Sequence, residues 1–154
     1  MRSIKRIIIL ILIPASQVSA AELRYKDRFL QALVGRVPEI LRQYDPATGR
    51  FGEGIWVCQD QDVMLPLAVV YATKGEGNTH YRDPALLETI MKAGDALIDD
   101  MDEQGQWVFR KKDGSTWGMI SMPWTYSRWI RTYALIAGDM PPDRRERWAN
   151  ALTL

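Results

Sequence analysis

Cysteine and histidine are almost missing from this chain, with one of each, Cys58 and His80, among 154 residues. A single cysteine excludes an intrachain disulfide in any compartment, so the fold must rest on packing. The same scarcity leaves no ligand spacing for a zinc site. No regular alternation of oxygen donors marks a calcium loop, and no cofactor is expected. Net charge is nearly absent too. Twenty basic residues against nineteen acidic ones leave +1, which removes a general electrostatic case for nucleic-acid binding. With 47% hydrophobic and 25% charged residues, eleven Gly and eight Pro, neither a disordered chain nor a collagen-like repeat fits. Cys58 ends the apolar run Ile55-Trp56-Val57-Cys58 and is read as a small buried hydrophobe. As a nucleophile it would need His80 beside it.

What is present begins with an export signal. Arg2, Lys5 and Arg6 precede the apolar residues 7–13, which end at Pro14. The segment Ala15-Ser16-Gln17-Val18-Ser19-Ala20 then places Val18 and Ala20 where a signal peptidase selects small residues. The apolar run is too short to span a bilayer core of about 30 Å. No cysteine stands at the cleavage point to carry a lipid. Removing residues 1–20 takes away three basic residues and no acidic one, leaving 134 residues with a formal charge of −2. The expected product is secreted or periplasmic, mildly acidic and without a stable membrane anchor.

The mature chain reads as helices joined by long loops. From Glu22 onward Phe29, Leu30, Leu33, Val34, Val37, Ile40, Leu41 and Tyr44 recur at three- and four-residue steps, one apolar stripe on a helix. Pro38 should kink it, and Asp45-Pro46-Ala47-Thr48-Gly49 stops it with turn chemistry. A second helix is expected over residues 60–73, apolar nearly all round and therefore buried on several sides. A third starts with Asp83 as N-cap and Pro84 in the first turn and runs to about Met101. A fourth covers residues 123–137, stopped by Gly138. A fifth opens near Pro142 and Asp143 and carries Trp148 and Leu152. No Gly or Pro follows Leu152 to stop it, and Trp148 and Leu152 call for a partner surface, so truncation at the C-terminus is the expectation. The loops at 45–59 and 102–122 exceed the usual four to six residues. Within the latter, Gln106-Trp107-Val108-Phe109-Arg110 alternates like a strand and Lys111-Lys112-Asp113-Gly114 is a turn signal. A small β-hairpin between the third and fourth helices follows.

Three passages carry a resemblance to a known architecture. They are Tyr44-Asp45-Pro46-Ala47-Thr48-Gly49-Arg50-Phe51-Gly52 with Trp56 after it; Leu65-Pro66-Leu67-Ala68-Val69-Val70-Tyr71-Ala72-Thr73 with a Gly-containing turn and Tyr81 after it; and Gly105-Gln106-Trp107 through Asp113-Gly114-Ser115-Thr116-Trp117-Gly118. Together they resemble the (α/α) toroid, or six-hairpin, carbohydrate-active enzymes, in particular the unsaturated glucuronyl hydrolases and the heparinase/alginate-lyase-like enzymes. The resemblance implies an all-α fold: antiparallel helical hairpins of an incomplete toroid, with the small β-hairpin in a loop. About five helices do not close a ring usually made of about a dozen, so it implies the N-terminal portion of a larger enzyme. Terpenoid-cyclase-like toroids share the Gly-Ser-Trp flavour of the third passage, but the export signal argues against them.

Sugar rings present flat C–H faces to aromatic rings and hydroxyls to polar side chains. Trp56, Trp107, Trp117, Trp124, Tyr126 and Trp129 stand in or beside loops, interleaved with Arg110, Lys111, Lys112 and Arg128. That mixture suits an acidic polysaccharide or oligosaccharide, the cations pairing with uronate carboxylates. The competing role is helix-end packing, and Trp129 is assigned to it because it shares a helical face with Tyr133 and Ile136. A uronate lyase needs a group to neutralise the carboxylate, a base for the acidified C–H and an acid for the leaving oxygen. Asn78-Thr79-His80-Tyr81-Arg82-Asp83 concentrates such side chains, making Asn78 a substrate-binding candidate and His80, Tyr81 and Arg82 catalytic candidates. Against this stand packing for Tyr81, capping for Asp83 and plain solvation for His80. A hydrolase needs carboxylates instead. Glu53, Asp60 and Asp62 flank Trp56, with Asp60 the catalytic candidate, although the two aspartates cannot share a helical face and would also serve as N-terminal caps. The sequence therefore predicts an exported enzyme fragment that cleaves acidic glycans by β-elimination or hydrolysis, with a non-catalytic glycan-binding or scaffold domain as the alternative.

Overall fold

Leu30, Leu33, Val34, Val37, Ile40 and Leu41 wind residues Ala20–Leu41 into helix α1, whose apolar stripe faces the core. This computed structural model describes residues 20–53, 57–110 and 113–153. The leader predicted over residues 1–20 falls outside them except for Ala20, where α1 begins. Trp56, Lys111 and Lys112 also lie outside.

After α1 the chain forms a pair of two-residue strands, β1 (Tyr44–Asp45) and β2 (Arg50–Phe51), antiparallel with Tyr44 opposite Phe51. The turn is closed by Asp45, whose carboxylate accepts from the Ala47 amide and the Thr48 hydroxyl, both at 2.9 Å. The segment expected as one helix over 60–73 is divided. A short helix α2 (Val57–Asp60) passes through a 3-10 turn (Gln61–Val63) into α3 (Met64–Ala72). Pro66 stands in the first turn of α3, the part of a helix where a missing N–H and a φ fixed near −65° cost least.

Helix α4 (Pro84–Asp99) begins as expected, with the Asp83 carboxylate accepting from the Ala85 amide at 2.9 Å. A hairpin follows: β3 (Trp107–Arg110) pairs antiparallel with β4 (Thr116–Ile120). Then come α5 (Pro123–Ile136), a 3-10 turn (Ala137–Asp139) and α6 (Pro142–Ala151).

The described chain is thus mostly helical with two small antiparallel hairpins, the first of them unforeseen in the sequence. The expected all-α class is correct in its main framework only. Helix α3 packs on α1, α4 and α5, most extensively on α5, and α4 packs on α6. Leu67, Ala68 and Val70 of α3 are fully buried, as its all-round apolar composition requires. No described helix is long and apolar enough to cross a membrane.

Trp148 corrects one expectation. It does not want for a partner surface: it is completely buried, its ring meets Trp129 edge-on at 5.7 Å, and its Nε1 donates to Asp95 at 2.9 Å. Asp95 also takes the Arg144 guanidinium at 2.8 Å, fastening α6 to α4.

Candidate functional site

The five described tryptophans divide sharply. Trp107, Trp129 and Trp148 have no exposed surface, whereas Trp117 is 71% and Trp124 55% exposed. Trp107 is therefore core and not a sugar contact. It opens β3 with its indole N–H donated to the Leu97 carbonyl at 2.9 Å, and it packs on the Tyr126 ring at 5.0 Å. Trp129 is core, as its helical face predicted. Tyr126 is half-buried, its hydroxyl donating to the Gly105 carbonyl at 2.9 Å, so only its ring remains to line a surface.

The local backbone accounts for the exposure of Trp117. Phe109 stands opposite Gly118 and Arg110 opposite Thr116, so β4 carries one extra residue between them, and that residue is Trp117. Such a bulge bends the strand and re-aims the side chain it inserts. Gly118 supplies the positive φ of 104° that the distortion needs. The Phe109 ring braces the indole edge-on at 5.7 Å. At the hairpin tip the Asp113 carboxylate accepts from the amide and hydroxyl of Ser115, which holds its pKa below the usual value. Trp124 follows seven residues later in the first turn of α5, which limits the Cα separation of the two indoles to about 25 Å.

Three cations stand on the same elements, Arg110 on β3 and Arg128 and Arg131 on α5. Arg110, Arg128 and Arg131 are all exposed. Arg128 is already engaged, its Nη1 lying 2.9 Å from Asp62 Oδ2. Burial pushes the Asp62 carboxyl above the usual carboxylate range, opposed by the Thr125 hydroxyl and by Arg128. Ser121 and, from the N-terminal part of α5, Pro123, Tyr126, Ser127, Ile130 and Arg131 line an open hollow of about 470 Å3 that Trp124 does not itself line.

The polar turn at 78–83 is placed elsewhere and has structural duties. Asn78 Nδ2 donates to the Val70 and Thr73 carbonyls at 2.7 and 2.8 Å, tying off the end of α3, while its Oδ1 accepts from the His80 amide. Arg82 adopts a left-handed backbone, φ 57°, and donates its amide to the Tyr71 carbonyl. Its guanidinium lies over the Tyr71 and Tyr81 rings and is paired with Asp139. Tyr81 is partly exposed, and His80 Nδ1 stands 3.9 Å from the helix-capping Asp83. Asn78 and Arg82 therefore fasten the α3–α4 connection.

Of the carboxylates, Asp60 is half-buried and fills the space a side chain at Gly52 would take. Among the described residues no group of three or more His, Cys, Asp and Glu is arranged to hold a metal ion.

Two residues of consequence escaped the sequence. Gln61 is buried and bonds Phe51 through both amide atoms, accepting from its N–H at 3.0 Å and donating to its carbonyl at 3.2 Å. Arg131 is the other: its seven-residue spacing from Trp124 puts both on one helical face. No family model, curated protein or solved structure matches the chain.

Proposed function

We propose that the chain is a helical-hairpin domain of an exported carbohydrate-active protein, and that its hairpin–α5 end binds an acidic polysaccharide. The observation that carries this is the division among the indoles. Trp117 and Trp124 lie open to solvent on consecutive elements, one on a bulge, while the other three described tryptophans are sealed in the core. An exposed indole offers a flat apolar face on which the C–H face of a sugar ring packs, and the exposed Arg110 and Arg131 add the charge an anionic glycan pairs with. The helical-hairpin part is supported by the packing, in which α3 lies chiefly on α5 and α4, between them in sequence, lies beside α6.

A second reading, glycan cleavage, is favoured by one feature. Tyr81 and His80 adjoin the left-handed Arg82, the sort of sparsely populated backbone that gathers at functional sites. In β-elimination a base at this turn would take the proton beside the uronate carboxylate while the glycosidic C–O bond on the adjacent carbon breaks and an acid protonates the departing oxygen. New carbon–carbon double-bond absorbance on alginate, ulvan or a glycosaminoglycan would support it.

The binding proposal is tested by titrating the protein with a uronic acid tetrasaccharide and a neutral one, following tryptophan fluorescence. The acidic sugar binds more tightly, and W117A and W124A each weaken it about tenfold, equivalent to ~1.4 kcal/mol. Unchanged affinity in both variants, or equal binding of the neutral sugar, would overturn it.

A further inference from the structure

Helix α3 carries no charged side chain, yet one of its faces is not sealed. Leu67, Ala68 and Val70 are fully buried, whereas Leu65, Pro66 and Val69 are only half-buried. These three line a groove of about 640 Å3 whose walls come from Phe29 of α1 and from Ala134 and Leu135 of α5. A ridge borders the groove on the α1 side. Tyr25 and Phe29, about one helical turn apart, are 70% and 53% exposed, and their rings stack at 6.5 Å with planes 15° apart. One face of the molecule therefore presents an apolar ridge and an apolar groove side by side.

We propose that this face pairs with a second copy of the chain about a two-fold axis, the Tyr25–Phe29 ridge of each copy entering the groove of the other. A two-fold interface must be self-complementary, and a ridge beside a groove of like apolar chemistry meets that condition. A single foreign helix would fill the groove and leave the ridge in water, whereas a second copy covers both. Arg131 fits the same occupant. It is exposed, lines the groove and forms no ion pair among the described residues. An aromatic ring of the second copy gives its guanidinium a face to stack on, and the N–H donors at its edge stay free for water or an anion. Aromatic side chains bury about 150–250 Å2 each. The exposed parts of two rings per copy, with the groove walls that receive them, therefore remove roughly 1,000 Å2 in all. That belongs to the weak, reversible interfaces below about 1,200 Å2 and gives a dimer with a Kd in the micromolar range. The pairing is independent of what the hairpin–α5 end binds.

The test is sedimentation velocity on the full chain from about 1 to 300 µM, alongside Y25E, A134E, R131Q and, for the other exposed aromatic surface, W117A. All four positions are exposed, so the substitutions leave the core intact, and circular dichroism checks the fold of each. The native chain should pass from monomer to dimer at tens of micromolar and stop there. Y25E on the ridge and A134E in the groove should each weaken the dimer at least about tenfold. R131Q should weaken it about fivefold through the two ring contacts it removes, and W117A should dimerise as the native chain does. A native chain still monomeric at about 300 µM overturns the proposal, as does association that continues past the dimer. A dimer that survives Y25E or A134E, or that is lost in W117A, overturns it as well, because association then runs through another part of the chain.

Discussion

The indole of Trp148 lies so close to Gly94 that a Cβ added to Gly94 would overlap three atoms of its six-membered ring and ring junction. Helices α4 and α6 meet at this point, and the absence of a side chain on α4 is what lets the largest side chain of α6 enter the core. G94A gains helix propensity of about 1 kcal/mol, but overpacking should outweigh it and leave a net loss of ~1–3 kcal/mol. W148A should cost about 3–5 kcal/mol. The double variant should fall short of the summed losses, because the added methyl group has no ring to strike. Urea denaturation of the four proteins measures this, and strict additivity would contradict the contact.

Asp62 makes a statement about pH. Its folded pKa is raised by burial, above the unfolded value of about 3.9. The folded chain therefore holds the proton more tightly. The stability contributed by Asp62 is fully present below the unfolded pKa and is lost as pH rises through the folded one. D62N cannot ionise and serves as the reference. The stability of the native protein relative to D62N should decline over that window and stay level above it, measured by urea denaturation from pH 3 to 7. A relative stability that climbs with pH would mean that the Arg128 bridge outweighs the desolvation.

Cys58 should be chemically quiet. Burial pushes its thiol up to about 11, opposed in part by hydrogen bonds from the backbone of residues 58 and 59, with the Asp62 and Asp60 charges adding a smaller push upward. An aromatic disulfide reagent at pH 8 should label the native protein roughly a hundredfold or more slowly than the urea-unfolded chain. Comparable rates would place the thiol at the surface.

The sequence disclosed what depends on neighbours along the chain. The helix-period stripe of α1, the Asp83 cap, the Pro84 start of α4 and the alternation of β3 are local chemistry, and the structure has them near the expected positions. It concealed what depends on partners distant in the chain. Trp107 alternates as a loop strand would, yet its burial is fixed by the Leu97 carbonyl ten residues back and by α5. Asn78 and Arg82 look like a catalytic cluster because their polar groups crowd together, whereas their partners are the end of α3 and Asp139. The bulge at Trp117 needs a register between two strands, which no single strand displays. Gln61 acts as a surrogate strand for Phe51, and nothing in its immediate sequence announces that role.

The most direct measurement follows the indole N–H resonances of the 15N-labelled protein during titration with a uronic acid tetrasaccharide. The resonances of Trp117 and Trp124 should shift progressively and saturate together, while those of Trp107, Trp129 and Trp148 stay in place. Saturating binding that leaves both exposed indoles unmoved, or no binding at all, would contradict the account.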